Sequence, residues 1–151
     1  MKITVYIQEY QEFSKVTYYT LRLYGEMLCE TDKFVNRFNS PNKYYKELQL
    51  ITSALKIIGD IKGASDSNNF RPEKKAQALP SKSVGCDLRL YCFVVNPYIV
   101  ILGNGGVKDK RFAQDGKDTK EHFHLMNKIA AELEKTDLKK LKSLIWDIKL
   151  K

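Results

Sequence analysis

The sequence predicts an α+β fold in which an antiparallel-rich β-sheet packs against a helical hairpin, with further helices towards the C-terminus. Three patterns predict it. Ile3, Val5 and Ile7 alternate with polar residues, the period of a strand with one buried face. Tyr44, Leu48, Ile51, Leu55 and Ile58 recur at steps of four and three, the core-facing stripe of a helix. Two runs rich in β-formers, 84–95 and 98–102, flank Asn96-Pro97, a turn-forming pair. With 151 residues, the chain reads as a single domain, 1–151, able to bury a core without metals or disulfides.

Taken in order, the opening strand is followed by a polar turn around Gln11 to Lys15 and a second β-rich run, Val16 to Tyr24, which suggests a hairpin. From Thr31, Phe34, Val35 and Phe38 are spaced for one apolar helical face. Ser40-Pro41 supplies an N-cap and a first-turn proline for the second helix, which Gly59 and Gly63 are expected to end. Residues 63–69 are a polar loop. In the strand that follows, Leu88, Leu90, Cys92 and Val94 share one face, and Arg89, Tyr91, Phe93 and Val95 the other. Gly103 to Gly106 is expected to close the partner strand. Asp118-Thr119-Lys120-Glu121 resembles a capping box for a helix bearing Phe123, Met126, Ile129, Ala130 and Leu133. A last helix is expected to open near Asp137, with Leu138, Leu141, Leu144 or Ile145, and Ile148 on one side.

Hydrophobic residues make up 43% and charged residues 29% of the chain, a balance that excludes a disordered or membrane protein. No apolar run nears the roughly 20 residues of a membrane span. The N-terminal segment turns polar at Gln8 and Glu9, unlike a secretory signal, so a cytoplasmic location is expected. Cys29, Cys86 and Cys92 are odd in number and lack C-x-x-C spacing, which disfavours a disulfide framework or a zinc site. The net charge of +8 is unevenly spread: residues 71–151 hold 17 basic and 10 acidic side chains, against 9 and 8 in residues 1–70. A basic half of this kind suits a polyanion such as nucleic acid.

Several chemistries are disfavoured by spacing. His122 and His124 are two apart and point about 200° apart on a helix, so they do not jointly hold an ion. No G-x-S-x-G or similar signature marks an activated nucleophile. The glycine run lacks the Lys-Ser/Thr of a nucleotide-binding loop. What remains is a set of cations: Arg71, Lys74 and Lys75 before the central hairpin, Arg89 within it, and Lys108, Lys110 and Arg111 after it. Arg89, between Leu88 and Leu90, must either pair internally, for example with Glu73, or face a solvated hollow, since an unpaired buried charge is costly.

Leu88-Arg89-Leu90-Tyr91, then Ile99-Val100-Ile101-Leu102, then Gly105-Gly106-Val107-Lys108 and a helix resemble the core of RelE/HigB-like toxins of type II toxin-antitoxin systems. The resemblance is best over residues 70–134, with the N-terminal strands and the last helix as elaborations. Phe70-Arg71-Pro72-Glu73 and Leu79-Pro80 also resemble the segment before that strand in longer members. The resemblance implies a microbial-RNase-type fold and a metal-independent endoribonuclease that cuts mRNA in the ribosomal A site. It also implies a cognate antitoxin that masks the basic face. By position, Arg89 matches the family's strand arginine, Lys108, Lys110 or Arg111 its later basic residue, and Glu73 the carboxylate that some members use as base. The C-terminal tyrosine or histidine of some members has no counterpart: Phe112 occupies that region, with His122 and His124 farther on.

On this reading Glu73 takes the proton of the RNA 2′-hydroxyl, Arg89 braces the phosphate, and Lys108 with Lys110 or Arg111 stabilises the transition state. Arg71, Lys74 and Lys75 contact the backbone and Tyr91 stacks a splayed base. A non-catalytic RNA-binding protein and a protein-interaction module remain as alternatives.

Overall fold

The computed structural model describes residues 2–108, 116–135 and 145–149. β1 (Lys2–Glu12) and β2 (Thr17–Leu23) form the expected antiparallel hairpin, with Val5 opposite Leu23 and a bulge between Glu9 and Gln11. Its alternation divides the apolar residues between two cores. Val5, Ile7, Tyr19 and Leu21 face one, and Val16 and Tyr18 the other.

Helix α1 (Glu30–Phe38) starts at Cys29, whose Sγ accepts from Asp32 N, and carries acidic residues in its first turn and Arg37 in its last, in accord with the helix dipole. Helix α2 (Tyr45–Ile57) begins later than Ser40-Pro41 predicts. The reason is local: the Asn42 side chain accepts from Tyr44 N at 2.8 Å, a turn that competes with helix. Nor does Gly59 end the helix. The chain continues through a π-helical turn, Ile58–Lys62, and leaves it at Gly63, where φ is +74°. Gly59 is needed for close approach, because a Cβ there would lie 2.6 Å from the Phe13 ring.

The remaining strands are β3 (Arg71–Glu73), β4 (Ala76–Leu79), β5 (Leu88–Asn96), β6 (Ile99–Val107) and β7 (Ile145–Lys149). They join the first two in one seven-stranded sheet of order β3-β4-β5-β6-β2-β1-β7. Only the β2–β6 pairing is parallel. The fold is therefore α+β with a mostly antiparallel sheet. The hairpin about Asn96-Pro97 forms as read, with Asn96 opposite Ile99. Its first strand starts at Leu88 rather than Val84.

Gly103 to Gly106 does not close the second strand; it lies within β6. A Cβ on Gly105 would fall 1.7 Å from the Arg89 carbonyl oxygen, and one on Gly106 would fall 2.4 Å from Asp118 Oδ2. The glycines thus serve close backbone and side-chain approach rather than a turn.

Both faces of the sheet are covered. Phe34 and Phe38 of α1 and Leu48 and Ile51 of α2 pack with Leu88, Leu90, Cys92 and Leu102. Helix α3 (Lys120–Leu133) covers the opposite face, where Phe123, Met126, Ile129 and Leu133 meet Val5, Ala76, Ala78, Tyr91 and Ile101. Each fully buried large side chain of this kind contributes roughly 1.5–3 kcal/mol. Thr119, not Asp118, is the N-cap of α3, and its side chain makes no cap hydrogen bond. Asp118 is engaged elsewhere, as described below.

The predicted last helix is corrected where it can be seen. Ile145–Lys149 is a strand, paired antiparallel with β1 from Lys2 opposite Lys149 to Tyr6 opposite Ile145. The open edge of β1 offers main-chain partners, and the β-branched Ile145 and Ile148 suit a strand at least as well as a helix. Asp137, Leu138, Leu141 and Leu144 lie outside the described residues.

Candidate nucleic-acid interface

The face of the sheet covered by α3 carries the candidate site at the end where β5 begins and β6 finishes. Arg71 pairs with Ala78, which in turn pairs with Tyr91; Glu73 pairs with Ala76; and Arg89 pairs with Gly106. Directly paired residues share a face, as do alternate residues of a strand. Arg71, Glu73, Arg89 and Tyr91 therefore stand together on one side. Ala78 stands between Arg71 and Tyr91 across the sheet, and the space over Gly106 is taken by Asp118.

Arg89 is only 6% exposed. Its Nη1 donates to the carbonyls of Leu88, at 3.0 Å, and Cys86. Among the described residues its buried Nε has no hydrogen-bond partner, and neither does Nε of Arg71. Both arginines line a polar cleft of about 470 Å³ together with Lys82, Glu47 and the 84–87 segment. Glu47 fixes that segment by accepting from Asp87 N at 2.7 Å and Leu88 N at 3.0 Å. Arg71 reaches the same loop through Nη2, 3.4 Å from the Ser81 carbonyl.

Glu73 does not form an ion pair with Arg89 among the described residues, so the internal-pair reading of that arginine is not realised. Its carboxyl is nonetheless in the field of Lys108, Arg89, Arg71 and Lys82. Burial raises its pKa above the ordinary carboxylate value, and the four cations only partly offset that. Lys108 is set beside β5 by its backbone N–H, which donates to the Asp87 carbonyl at 2.8 Å. Burial, then Arg89 and Arg71, hold its ammonium below the usual lysine value.

Tyr91 requires a correction. It is fully buried, with its ring edge-on to Phe123 at 6.2 Å, so it is not available to stack a base. Burial, followed by the Glu73 charge, raises its pKa and keeps its hydroxyl protonated. It forms the floor of the site.

Lys74 and Lys75 also depart from expectation. Lys74 turns the β3–β4 hairpin with φ of +62° and lies over the Phe123 ring, while Lys75 pairs with Glu134 at 2.9 Å. Both are drawn towards α3 and neither lines the cleft. Lys110, Arg111 and Phe112 lie outside the described residues. His122 sits among Glu121, Asp118, Arg37 and Lys33, with burial holding its pKa below the ordinary value. His124 is exposed beside Phe123. Among the described residues, no group of three or more His, Cys, Asp or Glu side chains is placed to hold a metal ion, and no helix is long and apolar enough to cross a membrane.

Sequence reasoning missed Lys82 and Glu47. Lys82 lies in an irregular loop, where no periodicity marks its direction, and Glu47 looks like any polar residue on a helix. No protein-family model, curated protein or solved structure matches this chain. The reading of the site therefore rests on its own geometry.

Proposed function

We propose that this chain is an RNA-cleaving toxin of the RelE/HigB type, with the microbial-RNase-type fold that this implies, acting on mRNA in the ribosomal A site and restrained by a cognate antitoxin. The observation that carries the reading is a polar cleft lined by Arg71, Arg89 and Lys82, with Glu73 on the same sheet face as both arginines and, like Lys108, within their field. Two buried guanidinium Nε atoms without partners in a polar cleft suit a phosphodiester, whose oxygens would supply the missing acceptors.

The chemistry follows from the placement. Glu73, with its raised pKa, accepts the proton of the 2′-hydroxyl as that oxygen attacks phosphorus. Arg89 and Arg71 hold the charge that builds on the phosphoryl oxygens. The P–O5′ bond breaks, and Lys108, with its ammonium held below the usual value, donates a proton to the departing 5′-oxygen. The products are a 2′,3′-cyclic phosphate and a 5′-hydroxyl. The family resemblance implies no metal for this reaction.

The test is to add the full chain to a translating extract and map the RNA ends. New 5′-hydroxyl ends within translated messages, absent with Glu73→Gln, are expected. Salt-sensitive RNA binding without any cleavage product would leave the non-catalytic RNA-binding reading; absence of RNA binding would leave the protein-interaction reading.

A further inference from the structure

Beside the polar cleft lies a second, wider one of about 780 Å³ on the opposite face of β3 and β4. Its apolar walls are Phe70, Pro72 and Val94, and its polar lining includes Asn68 and Gln77. Lys82 lines both clefts, so the two meet around the outer edge of the sheet. Gln77 Oε1 accepts from Val94 N at 2.9 Å, which fixes the amide and leaves its Nε2 donors directed away from that bond. The Asn68 backbone is itself held by Asp66 Oδ1 at 2.9 Å, which steadies the loop that presents its amide side chain.

We infer that this wider cleft holds a nucleobase adjoining the phosphate bound at Arg71 and Arg89, with Lys82 guiding the RNA strand around the β3 edge from one cleft to the other. The inference rests on the RNA reading above and adds to it the element that selects sequence. Pro72 and Val94 offer apolar contact to the face of a splayed base above the buried Phe70, and side-chain amides match its hydrogen-bonding edge. The volume falls within the range of small-molecule sites, about 300–1,000 Å³. A phosphate alone engages the arginines of the first cleft, whereas a nucleotide also carries a base suited in size and chemistry to the second. The β3 edge suits such a crossing, since Pro72 lacks the main-chain N–H with which another strand would pair.

The test uses the isotopically labelled full chain, titrated separately with the 5′-monophosphates of adenosine, guanosine, cytidine and uridine while amide resonances are followed. Resonances of Ser67, Asn68 and Gln77 are expected to shift with at least one nucleotide. Asn68→Ala and Gln77→Glu, the second of which keeps the oxygen that accepts from Val94, are expected to weaken that nucleotide about tenfold. In the extract assay both variants are expected to flatten the base distribution next to the cut. No shift at these amides with any nucleotide, or an unchanged base distribution in both variants, overturns the inference. Shifts without RNA cleavage by the native chain would instead remove the nuclease reading and leave the nucleobase cleft standing.

Discussion

Two arginines at the same end of the sheet are used in opposite ways. Arg37, at the end of α1, is 47% exposed and fully engaged: its Nη1 and Nη2 meet the two Asp118 oxygens at 2.9 Å each. Asp118 Oδ2 also accepts from Val107 N at 2.7 Å, so the pair ties α1 to β6 and to the start of α3. Arg89 is nearly sealed and, among the described residues, is bonded only to main-chain carbonyls and has no acceptor at Nε. The first arginine has its anion bound directly in the fold. The second has Glu73 and Glu47 within its field but, among the described residues, no direct ion pair, so a direct partner is gained when an anion enters the cleft.

Breaking the second case should give the larger effect. Arg89→Met is expected to lower RNA cleavage in the extract at least about 100-fold, while the thermal midpoint holds because the desolvation cost of a buried charge is removed together with its main-chain hydrogen bonds. A midpoint that drops by several degrees with cleavage intact would make Arg89 a structural residue. Glu73→Gln should cost about 100-fold in rate, and the pH profile of the native chain sharpens the assignment. Glu73 must be ionised to act, and its pKa is raised, so the acid limb should lie above that of an ordinary glutamate. Lys108 must be protonated, and its pKa is lowered, so the alkaline limb should lie below that of an ordinary lysine.

The paired arginine should yield smaller, purely structural changes. Gly106→Ala would thrust a methyl group towards Asp118 and is expected to destabilise the fold by about 1–3 kcal/mol in denaturant titration. Arg37→Ala, removing a half-exposed pair, should cost less than about 1 kcal/mol and leave cleavage unchanged. The Asp118 pKa is lowered: burial opposes ionisation, but the hydrogen bonds from Arg37 and Val107 N outweigh it. Its contribution is therefore present above the unfolded value of about 3.8 and is lost as pH falls through the lower folded value. Arg37→Ala should shrink that acid-sensitive increment, which an acid-unfolding series measures.

The long elements were legible because their periodicities are strong. The β1–β2 and β5–β6 hairpins and the three helices follow from apolar spacing. So does the division of β5, with Leu88, Leu90 and Cys92 on one face and Arg89 and Tyr91 on the other. β3 and β4 were not legible, being three and four residues long, too short for any period to register. β7 was misread because Ile145 and Ile148 satisfy a helical step of three, and only the unpaired edge of β1 decides otherwise. Of the site, charge brought out Arg71, Arg89 and Lys108, strand position marked Arg89 among them, and the family resemblance pointed to Glu73 as the base. The placement of Lys82, Lys74 and Lys75 depends on loop paths and on competition from Phe123 and Glu134, which are distant in sequence.

The seating of β7 on β1 bears on how the chain is made. Residues 2–6 leave a ribosome long before residues 145–149, yet find their outer neighbour only there. Throughout synthesis that flank of the sheet stays unzipped, with a row of main-chain donors and acceptors open to any extended polypeptide. Closure of that flank thus waits on residues 145–149, and nascent chains arrested before them should stick to one another.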